Sequence, residues 1–128
     1  MSDTGRRFLA KATENLAAAE SEFTTGRYNS CANRCYYACF QAAIAALDDA
    51  GVLLSDRRGH DQVQARFAGD LVNRRHLYAP ELRDVLPILF SLRQQADYEP
   101  EPVTLKHAER AVRRMRGFLR AVNERIGP

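Results

Sequence analysis

The sequence predicts an all-α protein, an antiparallel bundle of about five helices folded as a single domain over residues 1–128. Three observations predict it. Apolar residues recur at three- and four-residue spacing through long windows, and no segment shows the alternation of a strand. Gly and Pro cut the chain into pieces of helical length joined by short turns. At 128 residues and 14.5 kDa the chain can bury one core but not two. With 45% hydrophobic and 27% charged residues it is not a disordered chain, and seven Gly and five Pro exclude low-complexity classes.

The first helix is predicted from about Asp3 to Thr25. Leu9, Ala12, Leu16, Ala19 and Phe23 form one apolar stripe, and Gly26 supplies a stop. The second, about Tyr28 to Ala50, is apolar on two sides. Cys31, Cys35, Ala38, Cys39, Ala42 and Ala46 make a small-residue face that lets a neighbouring helix approach closely. Tyr36, Phe40, Ala43, Ile44 and Leu47 make a large one. Such a helix is either central to the bundle or shared with a partner chain. The large face looks like more than one core needs, so a homodimer through it is expected.

Gly51 ends this helix, and Val52–His60 reads as a surface loop. The third helix starts near Asp61 with Val63, Phe67 and Leu71 on one face. The fourth is predicted from Pro80 to Tyr98, with a bend near Arg83–Pro87 because Pro87 removes a backbone donor. Glu99–Pro102 breaks the chain, and Thr104 caps a last helix from Leu105 to Arg125. Its stripe is Leu105, Ala108, Val112, Met115, Leu119, Val122 and Ile126.

Nineteen Lys+Arg against sixteen Asp+Glu give a net charge of only +3. The excess concentrates after Leu105, where seven basic residues face two Glu. Lys106, Arg110, Arg113 and Arg120 share one face, a candidate nucleic-acid-binding track; a solvated polar face is the competing reading. The three cysteines lie in a row along one helix and do not converge as zinc ligands would, so they read as core residues. No metal and no cofactor are expected. The chain has no apolar run of membrane length and its N-terminus lacks a signal peptide's apolar core, so no membrane partner and a cytoplasmic location are expected.

Arg93 is the oddest placement. It falls in the middle of the apolar stripe Leu82, Val85, Leu86, Leu89, Leu92 and Ala96. A guanidinium there must be paired, and Asp97 one turn on can pair it. Asn33 and Tyr37, at the edge of the second helix's large face, are within expected reach. The readings are a structural ion pair or a working site. His60, His76 and His107 show no metal-binding spacing, and His60 alone opens a helix beside a flexible loop, a place where an imidazole could meet an anion.

Three segments carry a family likeness. NRCYYACFQAAIAAL (Asn33–Leu47) resembles the xRAYYAxFHAAxAL helix of HEPN-domain proteins. GHDQVQARF (Gly59–Phe67) resembles the H-x-x-V-x-x-x-F start of their next helix. LFSLRQQADYEP (Leu89–Pro100) resembles the L-x-x-L-R-x-x-A-D-Y signature of one bacterial and archaeal subfamily. Order and spacing agree from about Leu9 to Val122. The resemblance implies a bundle of four to five helices that commonly dimerises. In many such proteins an R-x4–6-H motif forms a metal-independent RNA-cleaving site, with both protomers lining one cleft. They act in toxin–antitoxin and phage-defence systems, often beside a nucleotidyltransferase, whereas others are non-catalytic modules.

Here Arg93 carries over as the motif arginine, but Tyr98 stands where the histidine should be. A phenol with an ordinary pKa near 10 is a poor general base at neutral pH. The expectation is therefore a protein that binds RNA or a nucleotide at a dimer cleft around Arg93, with weak or absent ribonuclease activity. Arg93, Tyr98 and His60 are the candidate catalytic residues, supported by Asp97, Asn33 and Tyr37. Arg110, Arg113 and Arg120 are candidate nucleic-acid contacts. The alternative is a non-catalytic binding or assembly module for a nucleotidyltransferase or another protein partner.

Overall fold

The computed structural model describes residues 1–127. Five α-helices account for most of it: α1 (Asp3–Thr24), α2 (Tyr28–Asp49), α3 (His60–Arg66), α4 (Val85–Tyr98) and α5 (Leu105–Ile126). No strand occurs among the described residues. No helix is long and apolar enough to cross a membrane.

Caps set the helix ends. The Ser2 hydroxyl accepts from the Gly5 amide at 3.1 Å, and the Thr104 hydroxyl accepts from the His107 amide at 3.2 Å. Gly26 and Gly51 turn the chain out of α1 and α2 at φ +78° and +75°, a backbone region costly for residues with a Cβ.

Helix α2 is the bundle's central element, packed against α1, α3, α4 and α5. Its small face, Cys31, Cys35, Ala38, Cys39, Ala42 and Ala46, is buried, with all three thiols free. Its large face corrects an expectation: Tyr36, Ala43, Ile44 and Leu47 are buried within this one chain, and only Phe40 is half-buried. The two-sided pattern is met by the protomer's own helices, so it supplies no argument for a partner on that face.

Two further segments depart from the periodicity. Beyond Arg66, α3 widens into a π-helix over Phe67–Arg74. Phe67, Leu71 and Val72 are buried there. Lengthening the repeat toward five residues brings Phe67 and Val72 to the same side. The fourth helix starts at Val85, not Pro80. Pro80–Leu82 is a separate 3-10 turn, which leaves Pro87 in the first turn of α4, where no intrahelical donor is required. The break therefore sits at Arg83–Asp84, ahead of the helix. On α5 the stripe holds from Ala108 onward, joined by Ala111 and Phe118, while Leu105 at the entrance is exposed.

Candidate functional site

The start of α4 at Val85 fixes the phase of that helix. Leu86, Leu89 and Arg93 fall on its buried side at i, i+3 and i+7, and Arg93 is only 8% exposed. Its Nη1 donates to the Tyr37 hydroxyl at 3.2 Å. Its Nε lies 3.3 Å from Asp97 Oδ2 as an ion pair without the alignment of a hydrogen bond. Asp97 is oriented in turn by Asn33, whose Nδ2 donates to Oδ2 at 3.0 Å. The guanidinium carbon also lies 5.9, 5.6, 5.4 and 5.8 Å from the ring centroids of Tyr36, Tyr37, Phe90 and Tyr98. These are cation–π distances that partly replace lost hydration. Burial alone would make this guanidinium easier to deprotonate. Tyr98, Tyr37 and Asp97 more than offset that and hold it above its ordinary value.

His60, the first residue of α3, reaches the same aromatic group. Its ring centroid is 4.9 Å from Phe40, 5.3 Å from Phe90 and 5.4 Å from Tyr36. Its Nδ1 is 2.7 Å from the Tyr36 hydroxyl, which also accepts from Gln64 Nε2 at 3.2 Å. Partial burial and the charge of Arg93 lower the His60 pKa, against a smaller upward pull from Asp61. The imidazole is therefore uncharged near neutral pH. Burial pushes the Tyr36 phenol up to about 12, so its proton stays on.

Beside Arg93 lies an open polar cleft of about 580 Å³, lined by Asn29, Ser30, Asn33, Arg34, Ala96, Asp97 and Tyr98. It joins the first turns of α2 to the last turn of α4. Arg34 is held at its wall by Nη1 donating to Asn15 Oδ1 at 3.1 Å and Nη2 donating to Asn33 Oδ1 at 2.6 Å. Tyr98 is 73% exposed and lines the cleft. Thus Arg93, Asp97, Asn33, Tyr37 and Tyr98 come together, and His60 joins them through the shared rings. Sequence reasoning missed Arg34, Asn29, Ser30, Tyr36 and Gln64. The polar run Asn29, Ser30, Asn33 and Arg34 at the head of an otherwise apolar helix was the signal for the first three. The Tyr36 and Gln64 roles carry no sequence signal, since they depend on the crossing of α2 and α3.

The basic residues of α5 do not reach this cleft. Arg113, Arg116 and Arg120 line a separate one of about 520 Å³ between α1 and α5, with Phe23, Glu109, Val112 and Gly117. Part of the charge is already matched, since Arg113 pairs with Glu109 at 3.2 Å and Arg116 with Glu20 at 2.6 Å. Arg110 and Arg120 make no ion pair among the described residues. His76 and His107 are exposed and line neither cleft.

A search of curated proteins finds no match to the chain. A family model, by contrast, matches residues 6–125, spanning all five helices, the Arg93 cluster and the polar cleft. That family is the HEPN domain, and the chain belongs to it.

Proposed function

We propose that this HEPN-domain protein belongs to a toxin–antitoxin or defence-type system and binds RNA or a nucleotide at the cleft beside Arg93. The observation that carries the reading is the cleft's composition: Arg34 and the exposed Tyr98 in its lining, with buried Arg93 paired to the Asp97 that lines it too. Arginine forks suit phosphate oxygens, and an exposed ring offers a platform for a base. Arg110, Arg113 and Arg120 provide a second, salt-sensitive set of phosphate contacts along α5.

Metal-independent cleavage of RNA is weak or absent. Attack by a 2′-hydroxyl needs a proton acceptor beside it, and general acid–base help contributes about 10²–10⁴-fold. Arg93 stays protonated, and Tyr98 replaces the motif histidine. A homodimer that joins two such clefts completes the reading. Its face lies outside the buried side of α2; exposed Ile88 and half-buried Leu92, one turn apart on α4, support a position next to the site.

The test is anisotropy of a labelled single-stranded RNA, without metal, using wild type, Arg34→Ala and Tyr98→Ala. Tyr98 is exposed and Arg34 half-buried, so circular dichroism and thermal melts of each variant accompany the binding measurement. Loss of one stacked base is expected to weaken binding by about 5–150-fold. Equal binding by all three proteins overturns the reading. Robust wild-type cleavage abolished by Tyr98→Phe overturns the inactive assignment, whereas cleavage gained only on Tyr98→His supports it.

A further inference from the structure

Tyr36 is wholly buried, and its hydroxyl has two polar neighbours: Gln64 Nε2 at 3.2 Å and His60 Nδ1 at 2.7 Å. The amide nitrogen of Gln64 can only donate, so the phenol oxygen accepts from it. The phenol proton then needs an acceptor, and in this buried place only His60 Nδ1 is within reach. A buried hydroxyl proton left without one would be costly. Nδ1 is therefore the unprotonated nitrogen, and in the uncharged ring the proton sits on Nε2.

The Nε2 edge makes no hydrogen bond among the described residues, and it is not one of the buried orphan atoms. Nη2 of Arg93 is likewise not one of the buried orphan atoms, and the Tyr98 hydroxyl is the guanidinium's other hydrogen-bonding neighbour. Both groups rest on the same three rings, Tyr36, Tyr37 and Phe90. We propose that His60 serves the Arg93 site as an Nε2–H hydrogen-bond donor to a phosphoryl oxygen, with Tyr36 and Gln64 as the residues that fix its tautomer. The proposal rests on the reading of this site as phosphate-binding and adds the second donor. It also separates His60 from the role of general base. A ring whose outer nitrogen already carries the proton can hold an oxyanion but cannot take a proton from a hydroxyl. Partial burial and the Arg93 charge keep the ring uncharged, in the form the relay requires.

Long-range proton–nitrogen correlation NMR of the full chain tests this, with inorganic phosphate as the probe. His60 is expected as the Nε2–H tautomer, and phosphate should shift that proton's resonance. Gln64→Glu replaces the donor by a carboxylate that only accepts. It accepts the hydrogen bond from the Tyr36 hydroxyl, the phenol oxygen then accepts from Nδ1–H, and the tautomer inverts. Tyr36→Phe keeps the ring and removes the relay, so the tautomer preference should collapse and phosphate affinity should fall about 3–10-fold, the loss of one charge-assisted bond's alignment. An Nδ1–H tautomer in the wild type overturns the proposal, as does an unchanged tautomer in Gln64→Glu. A phosphate response at the Arg34 and Arg93 side chains with none at His60 overturns the proposal and leaves the site reading intact. No response at any of the three overturns the site reading, and this proposal with it.

Discussion

Truncating Asp97 to alanine tests whether the Arg93 cluster is held together by charge. The change leaves a guanidinium that is 8% exposed without its carboxylate, and it also removes the acceptor of Asn33 Nδ2 at 3.0 Å. Two unit charges 3.3 Å apart attract by about 5 kcal/mol at an effective dielectric of about 20, before desolvation is subtracted. Asp97 is 31% exposed on its side chain, so water screens part of that. Fully exposed pairs are worth about 0–1 kcal/mol and breaking buried ones costs about 3–5 kcal/mol. A pair with one buried and one third-exposed member belongs between them, and about 2 kcal/mol is expected. For a domain of this size that lowers Tm by about 6–10 °C. Thermal and urea unfolding of wild type, Asp97→Ala, Arg93→Met and the double variant give the cycle. The coupling should be at least about 1 kcal/mol. Additivity within about 0.5 kcal/mol refutes the reasoning, because independent sites add to that accuracy. In that case the rings and Tyr37, not the carboxylate, hold Arg93 in place.

Three other outcomes follow from the same structure. Gly117→Ala should raise stability by about 0.5–1 kcal/mol in thermal melts, since a Cβ there meets nothing within 4 Å and mid-helix glycine is entropically costly. The Cys31, Cys35 and Cys39 thiols are wholly buried, so a thiol reagent should label them only as fast as the chain unfolds, with the denatured protein reacting at all three at once. The lowered His60 pKa makes the unfolded chain the better proton binder below about pH 6.5, so stability should fall as pH drops through that value toward the folded pKa, and His60→Gln should flatten this limb in pH-dependent urea unfolding.

The residue pattern alone determined the helix count, the capping by Thr104, the stops at Gly26 and Gly51, and the burial of the cysteine face. These are local or periodic properties. A helix with an apolar stripe must bury it, and a glycine at positive φ ends a helix wherever it stands. The displaced Arg93 and its pairing to Asp97 were also legible, because a charge inside an apolar stripe and a carboxylate four residues on are both visible in one dimension. What only the tertiary structure decided is which surface covers which face. Tyr36, Ile44 and Leu47 belong to an apolar face that could have met a partner chain; instead α3 and α4 close over Tyr36 and the α2–α3 connection lies over Ile44, since segments of the same chain reach that face without the entropy of association. The start of α4 at Val85 was undecidable from Pro80 and Pro87 alone, because both prolines suit a first turn. The meeting of Tyr36, His60, Gln64 and Arg93 depends on three helices crossing, and no spacing within any one of them encodes that crossing.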